Sequence, residues 1–279
     1  KCVPFGVIDD EKCLLMYNKF DGHVLIPRPY LSIINLDDKF SKKEILIELS
    51  NTESYEKYPF FVPRYADCVN KIIYDKKTKT YMLYNRINPH QKVRSIDYIT
   101  SKDMVTWSKH KPINITGYDW NYDSHYIPNV MKYPGTDYYI CVSLFIHTLK
   151  NHRELMILIS KNGIDFDIIS IPYSYYGGVH SDDYFPIVGG FIEKDSSHHI
   201  YMSDVVTRKE HTNYKKAFLH KFTFRLDSLF YICAENHGHI KTRPTAIFNN
   251  KLTINYKCNE GGYIKIRLTD ELDNDLPKY

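Results

Sequence analysis

Six residues of this chain could do acid–base chemistry from one end of a sheet-built scaffold. Asp67, Asp123, His125, His180, Asp182 and Asp183 each fall just before, or at the head of, a run of alternating apolar residues. The loops expected on the same side carry His90, Arg94, His147, His152, Arg153, Arg208, Glu210 and His211. Several carboxyl groups brought together can divide the work of breaking a glycosidic bond. One protonates the leaving oxygen, and another acts as base or nucleophile. Crowded like charges raise at least one pKa, which suits the acid role. Asp before a strand is also an ordinary turn residue, so the pattern matters more than any one position.

Other chemistries are less well served. Outside His237-Gly238-His239, no histidine pair has HxH or HxxxH spacing on a defined element. The six cysteines, at 2, 13, 68, 141, 233 and 258, form no CxxC. No metal site and no cofactor are therefore expected. Cys141 lies in an apolar run and reads as a buried thiol, Cys2 and Cys13 could pair across a hairpin, and His198-His199 reads as a solvated turn. A nucleophile-elbow signature for Ser/His/Asp catalysis is lacking.

The elements that must position these residues show in a repeat. Thr100-Ser101-Lys102-Asp103-Met104-Val105-Thr106-Trp107 recurs 59 residues on as Ile159-Ser160-Lys161-Asn162-Gly163-Ile164-Asp165-Phe166. Asn70–Tyr74 falls on Asn129–Tyr133 at the same offset, and Tyr126-Ile127-Pro128 is echoed by Tyr184-Phe185-Pro186. A period of this size, filled with strands, implies one supersecondary unit repeated. For antiparallel units the expected solution is a β-propeller.

One unit reads Val69–Tyr74, Tyr81–Arg86 and Arg94–Thr100, with Trp107 leading to the outer edge. A second reads Ile127–Tyr133, Tyr138–Ile146 and Leu155–Ser160, and a third Phe185–Ile192, His199–Val206 and Ala217–Phe224. Residues 1–56 read as an earlier unit. Trp107 and Phe166 are expected at equivalent buried positions. The fold class is thus all-β, a propeller of which about four blades are readable. Residues 1–224 form it. Residues 225–279 read as a small β-sandwich segment with strands at Thr242–Phe248, Lys251–Tyr256 and Gly262–Leu268. That segment either packs on the propeller or is incomplete.

Composition narrows the partners. The 279 residues are 43% hydrophobic, with 25 Tyr and 14 Phe. Tyr suits pleated, half-buried surfaces and could also stack on sugars. The net charge of +4 is spread without a basic stripe, so no nucleic-acid partner is expected. No apolar run approaches the roughly 18 residues of a membrane span, and no signal peptide is visible. The chain begins at Lys1, compatible with removal of a leader, and Asn114-Ile115-Thr116 is its one N-glycosylation sequon. The compartment stays open, with a secreted or surface-associated setting slightly favoured.

The ordered series Asp67–Asp75, Tyr81–Arg86, Arg94-Ser95-Ile96, Ser101-Lys102-Asp103…Trp107, Asp123…Tyr126…Tyr133, Ser160–Ile164, Ser181-Asp182-Asp183 and His211 resembles a bacterial glycosidase-like five-bladed propeller family related to glycoside hydrolase families 32 and 43. The likeness runs on through Arg225-Leu226-Asp227, Lys241–Pro244, Leu252–Asn255 and Gly261–Leu268, where such propellers begin a β-sandwich. It covers roughly residues 60–279. The resemblance implies a carbohydrate partner and an axial pocket. Asp67 with Asp182 or Asp183 would be the working carboxylates, and Asp123 would orient them. Asn70 and Arg94 would hold sugar hydroxyls, with Tyr126, His180 and His211 lining the substrate. Related hydrolases use two Asp and one Glu, the Glu as acid. Here no Glu heads an inner strand, and Glu210 in a loop is the nearest. The expected activity is hydrolysis of a glycosidic bond. The alternative is a non-catalytic, lectin-like propeller.

Overall fold

The computed structural model describes residues 2–7, 12–19, 28–35, 42–46, 71–87, 94–118, 123–147, 152–169, 187–207, 214–226, 228–230, 232–244 and 252–276. They contain strands and no helix. The strands make four sheets. The first runs in the order β1 (Cys2–Val7), β2 (Lys12–Lys19), β3 (Arg28–Asn35), β4 (Lys42–Leu46). The second is β5 (Lys71–Asp75), β6 (Thr80–Ile87), β7 (Ser95–Ser101), β8 (Lys111–Pro112). The third is β10 (Asp123–Lys132), β11 (Tyr139–His147), β12 (His152–Ser160), β13 (Asp165–Ile168), with β9 (Asn114–Ile115) at its edge. The fourth is β14 (Ile187–Lys194), β15 (Ser197–Thr207), β16 (Tyr214–Arg225). In each sheet the first strand is an edge. The first strands of the first three sheets are neighbours, with β5 lying beside β1 and β10. Inner strands side by side are the arrangement of propeller blades.

The repeated sequence turns out to be a repeated turn. Ser101 Oγ accepts from the Met104 amide at 2.8 Å, and Ser160 Oγ from the Gly163 amide at 2.9 Å. Asp103 Oδ1 accepts from the Val105 and Thr106 amides at 2.8 and 2.7 Å. Asn162 Oδ1 repeats this with the Ile164 and Asp165 amides at 2.8 and 2.9 Å. Short polar side chains that bond the backbone two or three residues on are turn formers. The chain then returns, so Trp107 bridges Ser101 and Phe166 pairs with Ser160. The two aromatics are equivalent in register, but Trp107 is only half-buried whereas Phe166 is buried. The reason is β9. It lies parallel to β13 and sets Ile115 against Phe166 on the side away from Ser160.

Among the described residues, a buried core lies between the second and third sheets. Met82, Tyr84, Ile96 and Tyr98 pack with Val130, Tyr139, Cys141, Phe145, Leu158 and Phe166. Alternation explains which residues enter it, since every second residue of a strand faces one side. Cys141 is buried as expected, and burial pushes its thiol up to about 12. Two bonds lock the sheets together. Tyr84 Oη donates to the Gly163 carbonyl at 2.8 Å. Tyr139 Oη donates to Asp75 Oδ2 at 2.7 Å.

Asp75 is a buried carboxylate in the β5–β6 turn. It also accepts from the Lys77 amide at 3.0 Å and from Thr78 Oγ1 at 2.9 Å, and Lys132 Nζ lies 3.8 Å away. Burial pushes its carboxyl up, but the bonds from Tyr139, Thr78 and the Lys77 amide, with the Lys132 charge, outweigh this and leave it lowered. Asp75→Ala would strand the Tyr139 hydroxyl in the core. We expect a loss of about 2–3 kcal/mol in urea unfolding. A neutral result would show that this clasp contributes nothing.

The chain divides into two compact units, Lys1–Ile192 with Ile200–Phe222, and Glu193–His199 with Thr223–Tyr279. Three sequence expectations are corrected here. Cys2 and Cys13 do not face each other, because the β1–β2 register sets Cys2 opposite Tyr17 and Cys13 opposite Val7. His198 and His199 are buried at the head of β15 rather than solvated, and His199 Nδ1 lies 3.0 Å from Thr223 Oγ1. The turn preceding them needs only Asp195 and Ser196, both at positive φ, the geometry of a two-residue hairpin turn. Finally, described residues 242–244, 252–256 and 262–268 form no strand ladder. A single bridge, Thr269 to Asp275, follows them. Alternation is present there, but Leu252, Ile254, Tyr256, Ile264 and Ile266 stay exposed. Without a partner sheet, alternation alone does not make a strand.

Candidate functional site

Strand direction decides which residues share an end. β5 and β7 are both antiparallel to β6, so they run the same way, with Lys71 level with Tyr98, three residues inside Ser95. Arg94, just before β7, is stapled to the start of β10. Its amide donates to Ser124 Oγ at 3.0 Å, and its carbonyl accepts from the His125 amide at 3.0 Å. Asp123 heads β10 opposite His147, and His147 is opposite His152. The backbone thus brings Arg94, Asp123, His147 and His152 to one end. His147, His152 and Arg153 stand on β11 and β12 rather than in the loop between them.

The β10 ladder is irregular at this end. Its register with β11 shifts between His125 and Pro128, leaving Tyr126 and Ile127 in a bulge. Bulges re-aim the strand and are frequent beside active sites. The β1–β2 ladder shifts likewise between Pro4 and Val7.

His125 is not an acid–base group. It is fully buried, with Nδ1 3.1 Å from Ser143 Oγ and its ring edge-on to Tyr118 and Phe145. Burial lowers its pKa to about 3, so the imidazole is neutral under ordinary conditions. It supports the strand that begins at Asp123. Asp67, Asn70, His180, Asp182, Asp183, Glu210 and His211 lie outside the described residues. Among the described residues no group of three His, Cys, Asp or Glu side chains could hold a metal ion.

Sequence reasoning overlooked a buried polar group in the second sheet. Asn85 and Asp97 are opposite each other on β6 and β7, and His110 Nδ1 lies 3.9 Å from Asp97 Oδ2. All three are buried. Both Asn85 amide atoms and Asp97 Oδ1 have no hydrogen-bond partner among the described residues. Burial lifts the Asp97 carboxyl to about 7 and lowers His110 to about 4. The signal was present as two polar residues at opposed core positions of Leu83-Tyr84-Asn85 and Ile96-Asp97-Tyr98.

Comparison with known proteins rests on shape alone. No protein-family profile matches the chain, and no curated protein matches it significantly in sequence. Among solved structures, the Bombyx mori GH32 β-fructofuranosidase BmSUC1 aligns over 82% of this chain and 48% of its own, with TM-score 0.50 and 12% identity. The fold is that of the glycosidase-like propellers. BT0996, solved as an RGII complex, aligns over 80% of this chain and 68% of its own, with TM-score 0.51 and 12% identity. A structure described as a glycoside hydrolase aligns over 84% and 73%, with TM-score 0.51 and 10% identity. This chain therefore spans about half the length of the Bombyx enzyme. No helix among the described residues is long and apolar enough to cross a membrane.

Proposed function

We propose that this glycosidase-like propeller binds a carbohydrate at the inner-strand starts and hydrolyses a glycosidic bond there with paired carboxylates. The observation that carries this is the head of β10. Asp123 stands three residues before a bulge, and Arg94 is held beside the next two residues by its amide's bond to Ser124 Oγ and its carbonyl's bond from the His125 amide. The similar structures of a β-fructofuranosidase and a glycoside hydrolase support the same reading. In this reading Asp67 and Asp182 or Asp183 supply acid and base or nucleophile, with Glu210 as a further acid candidate. Asn70, Arg94, Tyr126, His180 and His211 hold the sugar. Residues 1–224 form the propeller and 225–279 an appended segment.

A second reading is favoured by one feature, the lack of a Glu at any inner-strand start. It makes the chain a carbohydrate-binding propeller without turnover. One experiment separates the two. Wild type, Asp67→Asn and Asp123→Asn are incubated with a broad oligosaccharide panel, and both bound and released sugar are measured. The enzyme reading expects release of reducing sugar by wild type. It further expects a loss of roughly 10²–10⁴-fold in a variant whose carboxyl group moves a proton, with sugar binding kept. Binding without release across the panel would overturn hydrolysis and leave the lectin-like reading.

A further inference from the structure

Asn85 and Asp97 face each other without meeting. They are opposed on β6 and β7, and opposed residues of an antiparallel pair have Cβ atoms about 4.5–5.5 Å apart. Side chains of this length could bond each other at that spacing. No hydrogen bond joins them, and Asn85 Oδ1, Asn85 Nδ2 and Asp97 Oδ1 all lack a partner among the described residues. Asn85 is 2% exposed and Asp97 7%, so bulk solvent does not serve these atoms. His110 flanks them from the segment that enters β8, 8% exposed and with Nδ1 3.9 Å from Asp97 Oδ2. A buried polar atom without a partner is costly and calls for an explanation. Here three of them belong to one cross-strand pair.

The surroundings narrow what could serve them. Leu83 lies two residues from Asn85 on β6, and Ile99 two residues from Asp97 on β7, so they share its side of the sheet. They are opposite each other, Ile72 is opposite Leu83, and all three are buried. The polar pair thus has an apolar floor. Asn85 offers a donor and an acceptor. Asp97 offers an acceptor when ionised and a donor when protonated. A cation would suit the oxygens but not the amide Nδ2, and an anion would meet the carboxylate. Water is donor and acceptor at once and small enough to stand between two short side chains.

We propose that Asn85 and Asp97 hold one internal water molecule that bridges β6 to β7 on the side of the second sheet away from the third. The water accepts from Asn85 Nδ2 and donates to Asp97 Oδ1. When Asp97 carries its proton, the water accepts that proton's bond and donates to Asn85 Oδ1 instead. One molecule thereby serves both protonation states of the buried carboxyl. The site is independent of the carbohydrate reading.

A crystal structure of the wild-type protein that resolves ordered water tests this directly. A density peak is expected within about 2.7–3.2 Å of both an Asn85 amide atom and an Asp97 carboxyl oxygen. Water magnetic relaxation dispersion, which counts long-lived internal waters, tests it in solution with wild type and Asn85→Leu/Asp97→Leu. The double variant removes both polar partners at similar volume, so it should keep the fold, and circular dichroism checks this. Its dispersion amplitude should fall by that of a single water. A direct bond between Asn85 and Asp97, no peak beside them, or equal amplitudes in wild type and the folded double variant would overturn the proposal.

Discussion

Gly163→Ala is expected to destabilise the protein by about 2–5 kcal/mol, the sum of a backbone cost and an overpacking cost. Gly163 stands at φ +75°, where an L side chain costs about 1–2 kcal/mol. A methyl group there would lie 2.7 Å from Tyr84 Oη, 3.1 Å from Met82 Cε and 3.3 Å from Tyr139 Cδ1. Tyr84 cannot retreat without breaking its buried bond to the Gly163 carbonyl. Overpacking of this kind adds about 1–3 kcal/mol. Gly135 is the control. It has φ +72° and nothing within 4 Å of an added methyl, so Gly135→Ala should show the backbone cost alone. Urea unfolding of both variants measures the difference. Equal losses would mean that the contact between the sheets is not tight.

Asp97→Asn is expected to do the opposite and stabilise the protein at alkaline pH. The folded carboxyl, lifted by burial, titrates near 7, against about 3.9 in an unfolded chain. Between those values the folded chain keeps a proton that the unfolded chain has released. Stability therefore falls as pH rises from about 4 to about 7, and the whole loss is present above that window. The difference amounts to at most about 4 kcal/mol. Asn cannot ionise, so wild type and variant should match near pH 4 and diverge to that extent by about pH 8. Parallel unfolding curves across the window would show that Asp97 is compensated in the folded protein.

The repeat was legible because its residues bond the backbone. Ser101 and Asp103, like Ser160 and Asn162, are fixed by the amides they hold, so the turn cannot form without them. The glycine in the second copy was not explained by the repeat. Met104 stands at φ +63° in the equivalent place, and only the packing of Tyr84 makes Gly163 necessary. The strands of the second and third sheets followed from alternation. The segment after Arg225 carries alternation too, but a strand needs a neighbour, which sequence does not supply. β9 left no trace, since two residues have no period. Histidines misled most. His125, His198 and His199 suggested solvent or catalysis, whereas burial makes His125 a neutral prop. At the candidate site, the shared end of the strands was legible from strand order, and Arg94 bonds Ser124 and His125 there. Asp97 was not legible, because a charge inside a strand pattern shows its burial only in three dimensions.

The strand β9 also changes what counts as one blade. It is drawn from the connection that leaves the second sheet, yet it seals the outer edge of the third by hydrogen bonds from the Asn114 and Thr116 amides to the Ile164 and Phe166 carbonyls. It is synthesised before β10 to β13, so the third sheet can close its edge once residue 168 has left the ribosome. No later chain is required. For the same reason the blades are not exchangeable cassettes. Excising or swapping residues 71–118 would take the second blade and also strip its successor to an open edge, the kind of surface on which chains pair with one another.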